Sequence, residues 1–226
     1  MELLEFARGP ALAFSAAVFA FGLAWRIYGI FSRPARVDFS EPRRRDVAAG
    51  GFRAVFAKML PPKGVKIRGA QMLNAYAYHI ALALVAFGFA PHIAFIARHL
   101  GVGWHPLPDP VTYIATAVAI IGLFVALMYR LTDGVQRLLS NFDDYFSWAV
   151  TLLPLVTGMA LLERPYYPVP VVTPALSTSP TLLALHLVSL ELLLVWLPFG
   201  KLAHATLFAF SRWRTGADFT RKGAAL

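Results

Sequence analysis

Cysteine is absent from all 226 residues. That excludes thiolate-bound iron–sulfur clusters, c-type haem attachment, zinc–thiolate sites and disulfides within this chain. Charge is scarce too, at 15% of residues, and acidic side chains number 12 against 21 Lys and Arg. A soluble domain of this length needs far more polar surface. No His-Glu-x-x-His occurs, which sets aside an intramembrane zinc protease. No internal repeat is evident, which weakens a secondary-transporter reading.

What is plentiful is apolar: 58% of residues are hydrophobic and the mean hydropathy is +0.60. Five windows are long and apolar enough to span a bilayer, namely Ala11–Phe31, Met72–Ala97, Val111–Tyr129, Tyr145–Leu162 and Thr181–Phe208. The expected fold is therefore all-α, an integral membrane bundle of five transmembrane helices forming a single domain over residues 1–226. The first window has no small-residue cleavage signal ahead of a polar region, and reads as an anchor helix that is retained.

The charges are unevenly placed. In a five-span arrangement 17 of the 21 Lys and Arg fall on one side, ten of them in the connection Ser32–Gln71. Arg8, Arg98 and Arg164 fall on the other side, and Arg26 lies inside the first window. The positive-inside rule then puts the N-terminus outside and the C-terminus in the cytoplasm, in a cytoplasmic (inner) membrane. The basic excess is a topology signal, and no nucleic-acid partner is expected. Within the connection, Asp46–Leu60 spaces Val47, Phe52, Val55, Phe56, Met59 and Leu60 roughly on one face, against Arg53 and Lys58. This predicts a basic amphipathic helix stopped by Pro61-Pro62, resting on anionic headgroups and able to dock a cytoplasmic redox partner. The outer connection Glu163–Pro180, rich in Pro, Tyr and Thr, reads as an ordered surface loop.

Six histidines are present. His99 and His105 fall in the outer loop. His79, His92, His186 and His204 fall within spans, where an imidazole is costly unless it is paired or ligating. His186 and His204 stand eighteen residues apart on the apolar stretch Leu182–Phe210. A continuous helix would put them on one face, five turns and about 27 Å apart, close to the thickness of a bilayer core, about 30 Å. With the second and fifth spans antiparallel, His79 and His204 come to similar depth and can clamp one haem iron; His92 and His186 can clamp a second. The outer pairing needs help. His79 and His92 are thirteen residues apart and leave different faces of an ideal helix, so Pro91 is needed to kink the chain and re-aim His92. Otherwise His92 is a helix-end histidine in the headgroup zone, or a neighbour of quinone. Lys201, one turn before His204, is placed to meet a haem propionate or to snorkel, and Arg26 could do the same. Glu191 lies well inside the fifth span, as a neutral hydrogen-bonded acid, as the partner of a basic group, or as a proton relay at a quinone pocket.

The run His186-Leu187-Val188 leading to Pro198-Phe199-Gly200-Lys201-Leu202-Ala203-His204 resembles the fifth helix of the respiratory nitrate reductase gamma subunit, within a wider superfamily of membrane cytochromes b that includes sulfite-reductase-, heterodisulfide-reductase- and hydrogenase-associated members. The segment Ser140-Asn141-Phe142-Asp143-Asp144-Tyr145-Phe146 before the fourth span is similar as well. The resemblance covers about Met72–Trp213. It implies that His79 and His204 hold a cytoplasmic-side haem b, and that His186 holds an outer one. The chain departs from the nitrate reductase branch on the second span: ten residues after His79, where that branch has its second histidine, stands Phe89.

What the resemblance implies is a haem b-containing membrane anchor subunit of a respiratory oxidoreductase complex. It would exchange electrons between the quinone pool, near the outer haem, and a cytoplasmic iron–sulfur partner. Two other classes compete with it. A haem-free transporter or channel subunit would want discontinuous helices, for which Pro154 and Pro198 are the candidate breaks. A pure anchor or assembly factor would need none of its histidines.

Overall fold

The computed structural model describes residues 2–32, 39, 41–57, 69–162 and 179–224. The connection 163–178 and the flanks 33–38 and 58–68 of the basic connection lie outside the described residues. Among those described, the chain is all helical, with no strand. The helices are α1 Leu3–Phe6, α2 Leu12–Ser32, α3 Val47–Ala57, α4 Gly69–Gly88, α5 Ala90–Leu100, α6 Asp109–Thr132, α7 Gly134–Leu139, α8 Phe142–Leu162, α9 Pro180–Trp196 and α10 His204–Arg221. A π-turn over Ala7–Ala11 joins α1 to α2 and absorbs Pro10, which has no N–H to give.

Four helices are long and apolar enough to cross a membrane: Leu3–Ser32, Gly69–Gly88, Asp109–Thr132 and Phe142–Leu161. They become five if the broken pair Pro180–Trp196 and Lys201–Arg221 counts as one span. Large apolar side chains stand bare along them, among them Phe14, Phe21, Trp25, Tyr28 and Phe31. Water would not tolerate a row of that kind, whereas acyl chains do. The chain is that of a multi-pass membrane protein.

Two of the five windows are broken, beside Pro91 and Pro198, the prolines that the sequence marked for a kink and a break. Met72–Ala97 stops at Gly88; Phe89 turns extended (φ −79°, ψ 129°) and α5 restarts with Pro91 in its first turn. Pro91 has no N–H to give the Phe87 carbonyl and its ring would crowd that carbonyl in a continuous helix, so it is tolerated only in the first turn of a new one. The apolar stretch Leu182–Phe210 stops at Trp196, passes through Leu197–Gly200 and a 3-10 turn at Lys201–Ala203, and resumes as α10. Pro198 supplies no N–H, and its ring opposes continuation. Pro154, by contrast, breaks nothing: α8 runs through it.

The described residues fall into two compact units, Met1–Ala16 with Arg68–Leu194, and Ala17–Ile67 with Val195–Leu226. In the first, α4 lies close against α6. Its stripe Asn74, Tyr78, Ala81, Val85 follows helical spacing. Gly122 on α6 admits it, since a Cβ there would stand 2.7 Å from the Tyr78 Cβ. Asn74 Nδ2 donates to the Gly122 carbonyl at 2.9 Å. The buried centre is small-residue-rich (Ala81, Ala115, Ala119, Leu123, Leu155), as close approach of helices in lipid requires. Trp148 Nε1 ties α8 to α6 through the Leu123 carbonyl at 2.8 Å.

The turn between α6 and α8 is pinned by Arg130, which meets Asp144 Oδ1 at 2.8 Å and donates to Ser140 Oγ at 2.9 Å. Asp144 Oδ2 also accepts the Asn141 N–H at 3.0 Å. The Asp144 side chain is only 4% exposed and that of Arg130 33%. Asp144→Ala is therefore expected to strand a half-buried guanidinium and cost about 2 kcal/mol, read as a lowered thermal midpoint of the purified protein in detergent. A midpoint equal to the parent's would mean that Arg130 is solvated without its partner.

In the second unit α3 packs on α10. The predicted helix Asp46–Leu60 is found as Val47–Ala57, with residues 58–60 outside the described set. Its small side, Gly50, Gly51 and Ala54, lies against Thr220, Trp213 and Gly216, while Phe52 and Phe56 stay exposed. So α3 is not a lone surface helix: its glycines serve a helix–helix contact. Asp46 precedes it and pairs with Arg44 and Arg53. Desolvation works to raise the Asp46 carboxyl, but the two arginines outweigh it and hold the group below its ordinary range. This contact is present above the ordinary carboxylate pKa and is lost as pH falls through the lowered one.

Candidate functional site

The break after Gly88 leaves helix-end carbonyls without partners from their own helix. Each of three finds one. The Gly88 carbonyl accepts the Leu107 N–H at 2.8 Å, and the Phe87 carbonyl accepts Trp104 Nε1 at 2.6 Å. The Val85 carbonyl accepts His92 Nδ1 at 2.8 Å. Gly88 has no room for a side chain, because a Cβ would stand 2.6 Å from Leu107. The kink thus re-aims His92, which sits in the first turn of α5 rather than at the end of a straight helix.

There it lies beside His186. The two imidazole centroids are 6.1 Å apart and the ring planes differ by 11°. That is too far for ring stacking in contact. It does match two imidazoles on opposite sides of one metal. A metal–nitrogen distance of about 2 Å, with each ring centre roughly 1 Å behind its nitrogen, gives a centroid separation of about 6 Å. In His92 a ring nitrogen beside a carbonyl must carry the proton, so Nδ1–H donates and Nε2 keeps its lone pair.

His186 is held from α8. Its Nδ1 lies 3.1 Å from Thr157 Oγ1, whose hydroxyl donates to the Leu153 carbonyl at 2.8 Å and therefore accepts from the ring. Ser189 Oγ lies 3.1 Å from Thr157 Oγ1 and donates to the His186 carbonyl at 2.7 Å. The ring lies against Gly158, where a Cβ would stand 3.2 Å from Cε1. Sequence reasoning missed Thr157, Gly158 and Ser189. The one available signal was Pro154, Thr157 and Gly158 close together on an otherwise apolar span.

The other two histidines are placed separately. His79 is exposed on α4, its ring 4.4 Å from that of Tyr78, with Nδ1 donating to the Ala75 carbonyl at 2.7 Å. His204 opens α10, exposed, with Nδ1 donating to the Lys201 carbonyl at 2.6 Å. They belong to different units, so their pairing stays a proposal. The five-turn alignment of His186 with His204 does not hold, because the helix between them is broken. All four histidines place Nδ1 beside an oxygen, but His99 does the same on α5 outside the paired site, so the habit alone does not mark a ligand.

Lys201 is exposed on the 3-10 turn before His204 rather than on a helix with it. Arg26 has another task from the one expected: Nε and Nη2 donate to the Pro198 and Phe199 carbonyls at 2.9 and 2.8 Å. These are backbone oxygens of the broken segment, and Gly22 gives the Pro198 ring room, since a Cβ there would stand 2.6 Å from it. Glu191 is buried, and its Oε1 has no hydrogen-bond partner among the described residues, so the expected bonded acid is not seen at that oxygen. No group of three or more metal-binding side chains occurs among the described residues. A two-histidine axial site needs none.

The chain is similar to a protein of Nitratidesulfovibrio vulgaris strain Hildenborough whose description, "Protein", states no activity: 30% identity over 227 residues, covering 97% of this chain and 95% of that one. No protein-family profile matches the chain. No solved structure matches it either.

Proposed function

We propose that this chain, which belongs to the same family as the Nitratidesulfovibrio vulgaris protein, is a haem b-binding membrane anchor subunit of a respiratory oxidoreductase complex. Its role would be electron exchange between the quinone pool and an iron–sulfur partner on the cytoplasmic face of the inner membrane. One observation carries the reading: His92 and His186, far apart in sequence and both within the apolar region, stand with near-parallel rings at the spacing of an axial ligand pair. A haem b bound there supplies a one-electron iron centre in a low-dielectric site.

The chain's own residues divide the work. His92 and His186 offer Nε2, with Nδ1 fixed by the Val85 carbonyl and by Thr157. His79 and His204 would hold a second haem nearer the cytoplasm. Lys201, beside His204, would meet a propionate. Arg26 is committed to the broken helix and leaves that role. Exposed basic residues of the second unit, Arg43, Arg45 and Lys222 among them, suit an acidic partner surface or anionic lipid.

A haem-free transporter subunit is the second reading, favoured by the two helix breaks. Against it, the Val85, Phe87, Gly88, Pro198 and Phe199 carbonyls at those breaks already accept from His92, Trp104, the Leu107 N–H and Arg26. Pyridine haemochrome quantification of the purified chain separates the readings. Two b haems per chain are expected, and a folded but colourless protein would overturn the proposal.

A further inference from the structure

We infer that α8 is a ligand-positioning element: its Thr157 and Gly158, with Ser189 of α9 beside them, fix the tautomer and the rotation of the His186 ring, and so set its alignment with His92. This rests on the haem reading above and deepens it. Nothing in the spacing of histidines points to α8, which carries no histidine.

Thr157 has one hydroxyl proton. The Leu153 carbonyl, 2.8 Å away and on the preceding turn, takes it. The oxygen then has lone pairs for two donors. One faces His186 Nδ1 at 3.1 Å. Ser189 Oγ sits at the same 3.1 Å, but its proton has a shorter path to the His186 carbonyl at 2.7 Å. With both hydroxyl protons committed to carbonyls, Thr157 can only accept from the ring. His186 is thereby held as the Nδ1–H tautomer with Nε2 basic. This is the outer-shell logic by which a hydrogen bond on one ring nitrogen decides what the other can ligate.

Gly158 supplies the second constraint. A Cβ there would meet Cε1 at 3.2 Å, Nδ1 at 3.6 Å and Nε2 at 3.9 Å, so the whole edge of the ring lies over the bare α-carbon. Rotation about the ring's own bond to Cβ would lift that edge off Gly158 and break the contact to Thr157. The 11° between the two ring planes is therefore set by α8 as well as by α9. A haem iron held by His92 and His186 with their ring planes near parallel would be expected to give a rhombic low-spin signal. Crossed planes give a strongly anisotropic one.

The test uses the full chain purified with its haem, with electron paramagnetic resonance of the oxidised state as the readout. The wild type is expected to show one rhombic signal assignable to the His92–His186 site by its loss in His186→Ala. In Thr157→Val, isosteric but unable to accept a hydrogen bond, that signal shifts or broadens with haem content held. Thr157→Ser restores it. Gly158→Val displaces the ring and shifts the same signal, leaving any second signal in place. A coloured wild type whose signal is identical in Thr157→Val and Gly158→Val overturns this inference while leaving the haem proposal standing. A colourless wild type overturns the haem proposal itself.

Discussion

His186→Ala is expected to remove one of two haems from each chain, halving the pyridine haemochrome yield and leaving the other haem reducible. The basis is geometric. Ligation on a single axial face does not replace a pair, and without His186 the iron would have only His92 on one side. His92→Ala should give the same loss with an added structural cost. It also removes the donor from that carbonyl, in a setting where an unsatisfied backbone group costs on the order of 1–3 kcal/mol. The pair thus makes an asymmetric prediction: equal loss of haem, but a lower thermal midpoint for His92→Ala than for His186→Ala. Retention of both haems in His186→Ala would dismiss the axial pair. Equal midpoints would show that His92 does not cap the α4 break.

The second large effect lies in the other unit. Gly216→Leu is expected to separate α10 from α3. Even the first carbon of a side chain at position 216 would collide with the Ala54 Cβ and approach the Gly50 carbonyl oxygen to 2.9 Å. A backbone oxygen cannot rotate out of the way, so relief requires the helices to part, at a cost of about 3 kcal/mol or more. Limited trypsin digestion should then cut at Arg53, Arg212 and Arg214 much faster than in the parent protein. Gly29→Ala is the control. A Cβ there meets nothing within 4 Å, so digestion should be unchanged. Resistance of Gly216→Leu to trypsin would show that the two helices have freedom to adjust their approach.

The membrane class was legible early because it depends on bulk properties. Long apolar windows and few charges leave no soluble solution, and each of those windows is mostly helix among the described residues. The windows misled in one respect. Hydropathy is blind to backbone continuity, so Met72–Ala97 and Thr181–Phe208 each read as one rod. Prolines gave the warning unevenly. Pro198 and Pro91 sit at breaks, while Pro154 sits in an unbroken helix. A helix can absorb a missing N–H where another group donates to the freed carbonyl, so proline content alone does not locate a kink.

The site was half legible. Buried histidines in lipid are informative one by one, because each needs a partner. His92 was the weakest of the four on spacing, since thirteen residues turn it away from the face of His79. The kink reversed that: it is His92 that the fold sets opposite His186. Arg26 shows the converse. A charge in a span suggests a ligand, and the fold spends it on two backbone oxygens.

Sequence alone determined the solvent this chain lives in, the helical class that solvent enforces, and which imidazoles had to be accounted for. These follow from composition and from the cost of bare polar groups in hydrocarbon. Only the tertiary structure decided which imidazoles meet, which carbonyls are exposed by the breaks, and that α8 grips His186. Those outcomes depend on where a helix stops, and stopping is settled by the carbonyl and donor contacts that neighbouring helices make at a particular turn.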